Sequence, residues 1–103
     1  MKVLVKRGVE FKYFTPPVID MIAAISYIYD DEFPDRNPVI TSAFDGKHMA
    51  TSYHYKGLAL DFRTRNLSHS EQQKLVLLMR QNLGNDVEVV LERHHVHVEF
   101  DPK

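Results

Sequence analysis

Cysteine is absent from this chain of 103 residues. Disulfide bonds and thiolate metal sites are therefore excluded, and a bound metal ion must be held by imidazole and carboxylate ligands. An excess of positive charge is also missing, because 13 Lys and Arg residues face 14 Asp and Glu residues and the formal net charge is -1. A chain with this balance lacks the electrostatic footprint of nucleic-acid binding, so we expect no nucleic-acid partner.

Long hydrophobic runs are missing as well. The sequence nowhere approaches the ~18 to 20 consecutive apolar residues of a membrane-spanning helix, and the apolar run near Met1 is too short for a signal peptide. We expect a soluble protein that is synthesised in the cytoplasm without a signal peptide and has no membrane partner. The length predicts a single domain over residues 1–103, which we expect to be a monomer.

Two helices are predicted from the spacing of apolar residues. The first runs from about Pro17 to Tyr29, because apolar residues recur at one-face spacing after a proline-containing start at Thr15. The second begins at a capping box formed by Ser68 and Glu71 and ends at Gly84, where a left-handed C-cap is favoured.

Short β-prone runs fill most of the remaining chain. Alternation of apolar and polar residues predicts strands in the runs over residues 58–64, 87–91 and 95–100. A tight turn over residues 92–94 is expected to join the last two runs. Together the elements predict a small α+β domain, with an antiparallel sheet that carries helices on one face and a polar site on the other. The runs cover residues 3–5, 9–14, 39–44, 58–64, 87–91 and 95–100.

The histidines are unevenly distributed. In the last predicted strand, His95, His97 and Glu99 alternate with valines, so the three polar side chains face the same side. Two histidines at positions i and i+2 lie roughly 6 to 7 Å apart on that face, close enough to converge on one ligand. By the same alternation, His94 is expected to point away from this face, and His69 lies in a polar helix start outside the cluster.

His54 and Asp61 form the second half of the predicted site. Their separation of seven residues would put them on opposite faces of one regular strand, but Gly57 lets the chain turn, so that His54 lies in a loop and Asp61 on a strand. Nitrogen and oxygen ligands from two separate segments, with an open position for water, are typical of a catalytic zinc ion. A buried hydrogen-bonded pair of His54 and Asp61 without metal is the alternative.

These residues occur in a recognisable order. The string Ser52-x-His54-x-x-Gly57-x-Ala59-x-Asp61, followed by Glu92 and by His95-x-His97, resembles the zinc peptidases of the D-alanyl-D-alanine carboxypeptidase and peptidoglycan endopeptidase group. It also resembles the hedgehog signalling domain, which shares their fold, and the likeness covers residues 39–100. The resemblance implies a hedgehog/DD-peptidase-like fold with the zinc site on the helix-free face of the sheet.

The resemblance also assigns roles to individual residues. It implies that His54, Asp61 and His97 bind one Zn2+ ion, that Glu92 is the general base for a zinc-activated water, and that His95 and His48 assist. In some members of the group the acidic base lies three residues before the histidine ligand, and Glu92 and His95 have this spacing. The alternative in which His95 is the ligand and His97 the assistant therefore stays open. Glu99 is either a partner that orients an imidazole or an exposed carboxylate, and Glu92 is alternatively a simple turn residue.

The implied activity is zinc-dependent hydrolysis of a peptide bond in bacterial peptidoglycan, in a stem or cross-bridge peptide. The expected source is a bacteriophage lysis or entry protein, acting on the cell wall after release or as a virion component. Carboxypeptidases of the group carry an arginine just after the strand at residues 39–42, which is absent here, so endopeptidase action is at least as strongly favoured. Lys47, Arg63 and Arg36 are possible substitutes for it. The rival interpretations are a catalytically silent zinc-containing binding module and a metal-free structural protein.

Overall fold

The protein is represented by a computed structural model that describes residues 2–44 and 58–102. Within these residues the fold is α+β, with two helices and a five-stranded sheet, as the sequence predicts. The elements are β1 (Leu4–Val5), α1 (Pro16–Glu32), β2 (Val39–Ser42), β3 (Ala59–Arg63), α2 (His69–Leu83), β4 (Val87–Leu91) and β5 (His95–Phe100).

Helix α1 begins where the sequence predicts a helix start. The Thr15 hydroxyl accepts a hydrogen bond from the Val18 N–H at 3.4 Å, and Pro16 and Pro17 occupy the first turn, where a missing N–H costs nothing. The helix continues three residues beyond the predicted end at Tyr29. The prediction ended there because the apolar pattern ends, but the polar residues 30–32 remain helical. One of them, Glu32, pairs with Lys74 of α2 at 2.6 Å.

Helix α2 confirms the predicted capping box. The Glu71 N–H donates to the Ser68 hydroxyl at 3.3 Å, and the Ser68 N–H donates to the Glu71 carboxylate at 2.8 Å. At the other end Gly84 has a φ of 79°, which a residue with a side chain rarely adopts, and its N–H donates to the Arg80 carbonyl. The Glu71 carboxylate also receives both terminal nitrogens of Arg36, at 2.6 and 2.5 Å.

The five strands lie in the order β1-β2-β3-β5-β4. The pairings β2–β3, β3–β5 and β4–β5 are antiparallel as predicted, whereas β1 pairs with β2 in parallel, so the sheet is mixed. A parallel pair needs a long crossover, and α1 provides one between β1 and β2. The predicted run over residues 9–14 is wrong as a strand: this segment is irregular, and its Glu10 carbonyl accepts from the Phe44 N–H.

The hydrophobic core lies between the helices and one face of the sheet. Leu60 and Phe62 from β3 and Val96 and Val98 from β5 are at most 1% exposed, and they share one cluster with the inward residues of α1 and α2. The two strands therefore turn their alternate residues away from the helices. For β3 and β5 the core therefore lies on the side of the helices, and the polar residues Asp61 and His97 lie on the other side. Among the described residues, no helix has the length and apolarity that crossing a membrane requires.

Candidate active site

On the face of the sheet opposite α1 and α2, Asp61 and His97 contact each other directly. These two residues lie opposite each other in the β3–β5 pairing, and the His97 Nδ1 is 2.8 Å from the Asp61 Oδ1. Asp61 is 8% exposed, which is unusual for a carboxylate and requires compensating partners. Residues 36 positions apart in sequence are thus brought together by strand register.

Glu99 holds the other side of the same imidazole. Its Oε1 is 2.8 Å from the His97 Nε2, so the ring is bracketed by two carboxylates. Hydrogen bonding to Asp61 raises the pKa of His97 to about 9; burial opposes the shift and Glu99 reinforces it. Without a metal ion, His97 is therefore an imidazolium at neutral pH. The geometry favours the interpretation of Glu99 as a partner that orients the imidazole.

His95 lies beside the same carboxylate at a longer distance. Its Nε2 is 3.6 Å from the Asp61 Oδ2, which is too long for a hydrogen bond, and its side chain is more exposed than that of His97. The two oxygens of Asp61 therefore each lie near a different imidazole. The shorter contact belongs to His97, and which of the two histidines is the ligand stays a prediction.

Glu92 lies where β4 turns towards β5. Its N–H donates to the His95 carbonyl at 2.8 Å, which continues the register of the β4–β5 pairing and puts residue 92 opposite residue 95. Its side chain is exposed, and within the described part of the chain no hydrogen bond or ion pair joins it to Asp61, His95 or His97.

A pocket of about 370 Å³ opens beside Asp61 and His95. Its size falls within the range of small-ligand sites, roughly 300 to 1,000 Å³. Most of its lining was not identified from the sequence, because it comes from the ends of several strands that only the sheet order brings together. The described lining residues are Lys6, Thr41, Ser42, Asp61, Arg63, Arg65, His94 and His95.

One sequence expectation about this pocket is wrong. His94 was expected to point away from the site by strand alternation, but it lines the pocket together with His95. The physical reason is that β5 begins at His95, so residue 94 belongs to the turn and does not follow the alternation of the strand. The predicted turn itself is present, and the His94 carbonyl accepts from the Thr64 N–H at 3.4 Å.

His48, His54 and Lys47 lie outside the described residues. The predicted ligand set is therefore represented by Asp61 and His97 alone. Three potential ligand atoms approach within 4.8 Å of one another at one place in residues 2–44 and 58–102, namely the carboxylates of Glu88, Glu99 and Asp101. Clusters of this kind are common at protein surfaces without a metal ion, and Glu99 is already engaged with His97.

The donor types around Asp61 suit a zinc ion. Imidazole nitrogen and carboxylate oxygen are standard zinc ligands, and the ligand histidine usually donates its second ring N–H to a carboxylate. His97 has this environment, because one ring nitrogen faces Asp61 and the other faces Glu99. No protein-family model matches the chain, and no curated protein matches it closely enough to count as a relative.

Proposed function

We propose that the chain is a zinc-dependent peptidase with a hedgehog/DD-peptidase-like fold that hydrolyses a peptide bond in bacterial peptidoglycan. The observation that carries the proposal is the contact of Asp61 with His97 at 2.8 Å on the sheet face opposite α1 and α2, with Glu99 holding the second ring nitrogen. The sequence order of His54, Asp61, Glu92 and His97 supports it, because it resembles the order in zinc peptidases that cut cell-wall peptides.

The proposed ligands are His54, Asp61 and His97. Glu99 accepts a hydrogen bond from His97 and thereby selects the ring nitrogen that faces Asp61 for the metal. A zinc ion held there supplies Lewis acidity towards the peptide carbonyl and lowers the pKa of a water. His97 has to lose its proton before it can act as a ligand.

Proton transfer is assigned to groups beside the pocket. In the proposal Glu92 accepts a proton from the attacking water and passes it to the leaving amine. His95 lines the pocket next to Asp61, so it is placed to donate a hydrogen bond to the oxygen of the carbonyl under attack. His48 is proposed to assist it. Substrate access is through the pocket of about 370 Å³, which leaves space for a peptide segment beside Asp61.

The direct test digests purified peptidoglycan with the protein, with and without a zinc chelator, and identifies the new termini by mass spectrometry. We expect new peptide termini that disappear with chelator and return when zinc is added back. Cleavage that continues after the metal has been removed, or an absence of cleavage by protein of full zinc content, would contradict the proposal. The same experiment identifies the bond and therefore distinguishes endopeptidase from carboxypeptidase action.

The variant Glu92→Gln tests the proposed base. We expect full zinc content and a loss of hydrolysis of roughly 100-fold or more, the typical contribution of a general base. Glu88→Gln is the matched control, because Glu88 is an exposed carboxylate of β4 that lies opposite Glu99 and not opposite His95. Equal activity of Glu92→Gln and wild type would remove Glu92 from the mechanism.

A catalytically silent zinc-binding module is the second candidate. The exposed carboxylate of Glu92, without a contact to the described site residues, is the observation that favours it. Stoichiometric zinc combined with no peptide hydrolysis would support this candidate. Elemental analysis of protein purified without a histidine tag tests a third possibility, since a zinc content near zero would leave Asp61, His97 and Glu99 as a metal-free hydrogen-bond network.

The proposed setting follows from the substrate class. A peptidoglycan peptidase with this sequence order fits a bacteriophage lysis or entry protein, which reaches the wall after release or as part of the virion. Its partner is a stem or cross-bridge peptide of the wall. The protein can be expressed in bacteria without phage, purified and added to isolated cell walls. Hydrolysis measured in this way reports activity on the wall independently of how the protein reaches it.

A further inference from the structure

The described sheet has two open edges. In the order β1-β2-β3-β5-β4, strands β1 and β4 each have a neighbour on one side only. An open edge presents a row of N–H and C=O groups to which a further strand can add. The pairings also make β1 and β4 antiparallel to each other. A second copy in the same orientation therefore brings its β1 antiparallel to β4 of the first.

On β1 the outward backbone groups belong to Val5. The N–H groups of Leu4 and Lys6 donate to the carbonyls of Pro38 and Ile40, both at 2.9 Å, so these two residues face β2. Alternation directs the N–H and C=O of Val5 to the opposite side, where they have no partner among the described residues. The side chains are open as well, since Leu4 is 43% and Val5 51% exposed.

On β4 the outward backbone groups belong to the odd-numbered residues. The Glu92 N–H donates to the His95 carbonyl at 2.8 Å, so the even-numbered residues of β4 turn their backbone groups towards β5. Arg80 covers one outward group, because its Nη2 donates to the Val89 carbonyl at 2.8 Å. That carbonyl has a second lone pair, and within the described chain the N–H groups of Val89 and Leu91 have no acceptor.

The two edges carry opposite charges. Residues 2–7, which contain β1, include three basic residues and no carboxylate, whereas residues 86–92, which contain β4, include three carboxylates and no basic residue. This is a local difference, because the whole chain has a formal net charge of -1. Two edges of the same kind repel each other, and edges of different kinds attract each other.

We propose that copies of this chain associate through these edges, with β1 of one copy antiparallel to β4 of the next and Val5 opposite Val89. In this register Val5 and Val89 exchange hydrogen bonds, because both turn their backbone groups outwards. Leu4 then lies opposite Val90, which is 38% exposed. Opposed residues share a face of the sheet, so these two apolar side chains contact each other and leave water.

The same register pairs the charges of Lys6 and Glu88, which are both exposed. Lys6 lines the pocket beside Asp61, so its side chain leaves the side of the sheet that faces away from the helices. Glu88 leaves the same side, since it lies opposite Glu99, which contacts His97. The lysine of one copy and the glutamate of the next therefore meet on one face.

On the helix side, an apolar groove of about 290 Å³ runs between α2 and β4. Its lining includes Leu77 and Leu91, and Leu77 is 55% exposed. Val3 packs against the core from β1, and Val5, two residues later, leaves the same side. An added β1 strand thus directs Val5 towards this groove, which covers apolar surface of both copies.

Each copy has one edge of each kind, so the contact is head-to-tail and association continues beyond a dimer. The monomer expected from the sequence is then the state at low concentration. Association through the edges does not depend on the proposed peptidase activity, and it is measured without substrate.

Sedimentation velocity of the full chain tests the association over roughly 10 µM to 1 mM, because an interface of one short strand pair is weak. We expect the average mass to rise with concentration above the 12.0 kDa of one chain, without stopping at two copies. In about 1 M salt it should fall, since salt screens exposed charges. A single-chain mass at every concentration, or a limit at two copies, would overturn the proposal.

Val5→Pro tests the backbone contact. Proline removes the outward N–H, while Leu4 and Lys6 keep their bonds to β2, so the fold of each copy is retained. We expect association to weaken roughly 10-fold or more. Val5→Thr is the matched control, since it keeps the N–H and a β-branched side chain, and it should stay within about threefold of wild type. Circular dichroism checks the fold of both, and wild-type association of folded Val5→Pro would reject the contact.

Lys6→Glu and Glu88→Lys test the register independently of folding at Val5. Each variant alone opposes like charges, and we expect its association to be roughly 3- to 10-fold weaker than wild type. In an equal mixture, every contact between unlike copies again opposes unlike charges, so the mixture should exceed both components in average mass. Asp30→Lys changes the charge as Glu88→Lys does at an exposed site of α1, and should associate as wild type does. A mixture as dissociated as its components would exclude the contact of β1 with β4.

Discussion

The two faces of strands β3 and β5 have opposite chemistry. On the helix side, Phe62 and Val98 are fully buried, and they pack into the core with the inward residues of α1 and α2. On the other side, the neighbouring residues Asp61 and His97 contact each other within hydrogen-bond distance. The 5 residues of β3 and the 6 residues of β5 are therefore divided between a core face and a polar face.

The difference between the two faces shows that successive residues of one strand can serve different purposes, one in core packing and the next in the polar site. Side chains on the core face gain free energy from leaving water, whereas the polar face requires Asp61 to remain compensated by imidazole or metal. A substitution on one face should therefore change stability and a substitution on the other should change metal binding. The following predictions test whether the two faces are independent in this way.

The largest effect is expected for Asp61→Ala. Removing this carboxylate eliminates a proposed zinc ligand and leaves His97 without its closest partner, so we expect loss of stoichiometric zinc and of hydrolysis. Elemental analysis and the peptidoglycan assay measure both. Asp30→Ala, at an exposed site on α1, is the control and should keep full zinc content. Retained zinc in Asp61→Ala would contradict the assignment of the polar face as the metal centre.

Phe62→Ala should act on stability instead. Phe62 is fully buried, and truncation of a buried phenylalanine costs about 3 to 5 kcal/mol of unfolding free energy. Urea denaturation of the metal-free protein measures this loss. The zinc affinity of the folded fraction is expected to stay within about threefold of wild type, less than 1 kcal/mol. A large loss of zinc affinity in the fully folded variant would show that the two faces are coupled.

Glu99→Ala tests the support of the ligand histidine. Removing a partner that orients a metal-bound imidazole typically weakens metal affinity by roughly 10- to 100-fold, and competition with a chromophoric chelator measures the change. Glu88→Ala is the control, since Glu88 lies opposite Glu99 without contacting His97. If Glu88→Ala weakens zinc binding as much as Glu99→Ala does, the acidic cluster of Glu88, Glu99 and Asp101 holds the ion instead.

The smallest expected effect is the release of protons when zinc binds. Because its pKa is raised from 6.5 to about 9, His97 is protonated in the metal-free protein at pH 7.5, and zinc binding should release about one proton from it. Calorimetry in two buffers of different ionisation enthalpy measures this release. In the metal-free protein, the same shift stabilises the folded state below pH 6.5, and this contribution is lost as pH rises through about 9. Zinc binding without proton release from His97 would contradict the contact with Asp61.

The local signals in the sequence predicted much of the fold. The capping box at Ser68 and the positive φ of Gly84 agree with the predicted boundaries of α2, although the ψ of -170° puts Gly84 outside the left-handed helical region. Alternation likewise predicted the two last strands and the shared face of His95, His97 and Glu99. The β-prone run over residues 9–14 does not form a strand, because β propensity alone does not decide pairing.

Half of the candidate site could be anticipated and half could not. Asp61 and His97 were identified from their order in the chain, while Lys6, Thr41 and Arg65 were not, since no local pattern connects them with the site. Strand order decides their proximity, through the parallel pairing of β1 with β2 and the bond from Lys6 to Ile40. The error at His94 has the same origin, because the exact start of β5 is set by its pairing with β3 and β4.

The sequence by itself determined the residue types available for chemistry, the two helices with their caps, and which residues of each strand share a face, because all of these depend on short-range spacing. The tertiary structure alone decided that Asp61 lies opposite His97, that Glu99 holds the second ring nitrogen, and that Lys6, Arg63 and Arg65 line one pocket. The physical reason is that register and strand order arise from packing of the whole sheet against the helices, which links residues far apart in the chain.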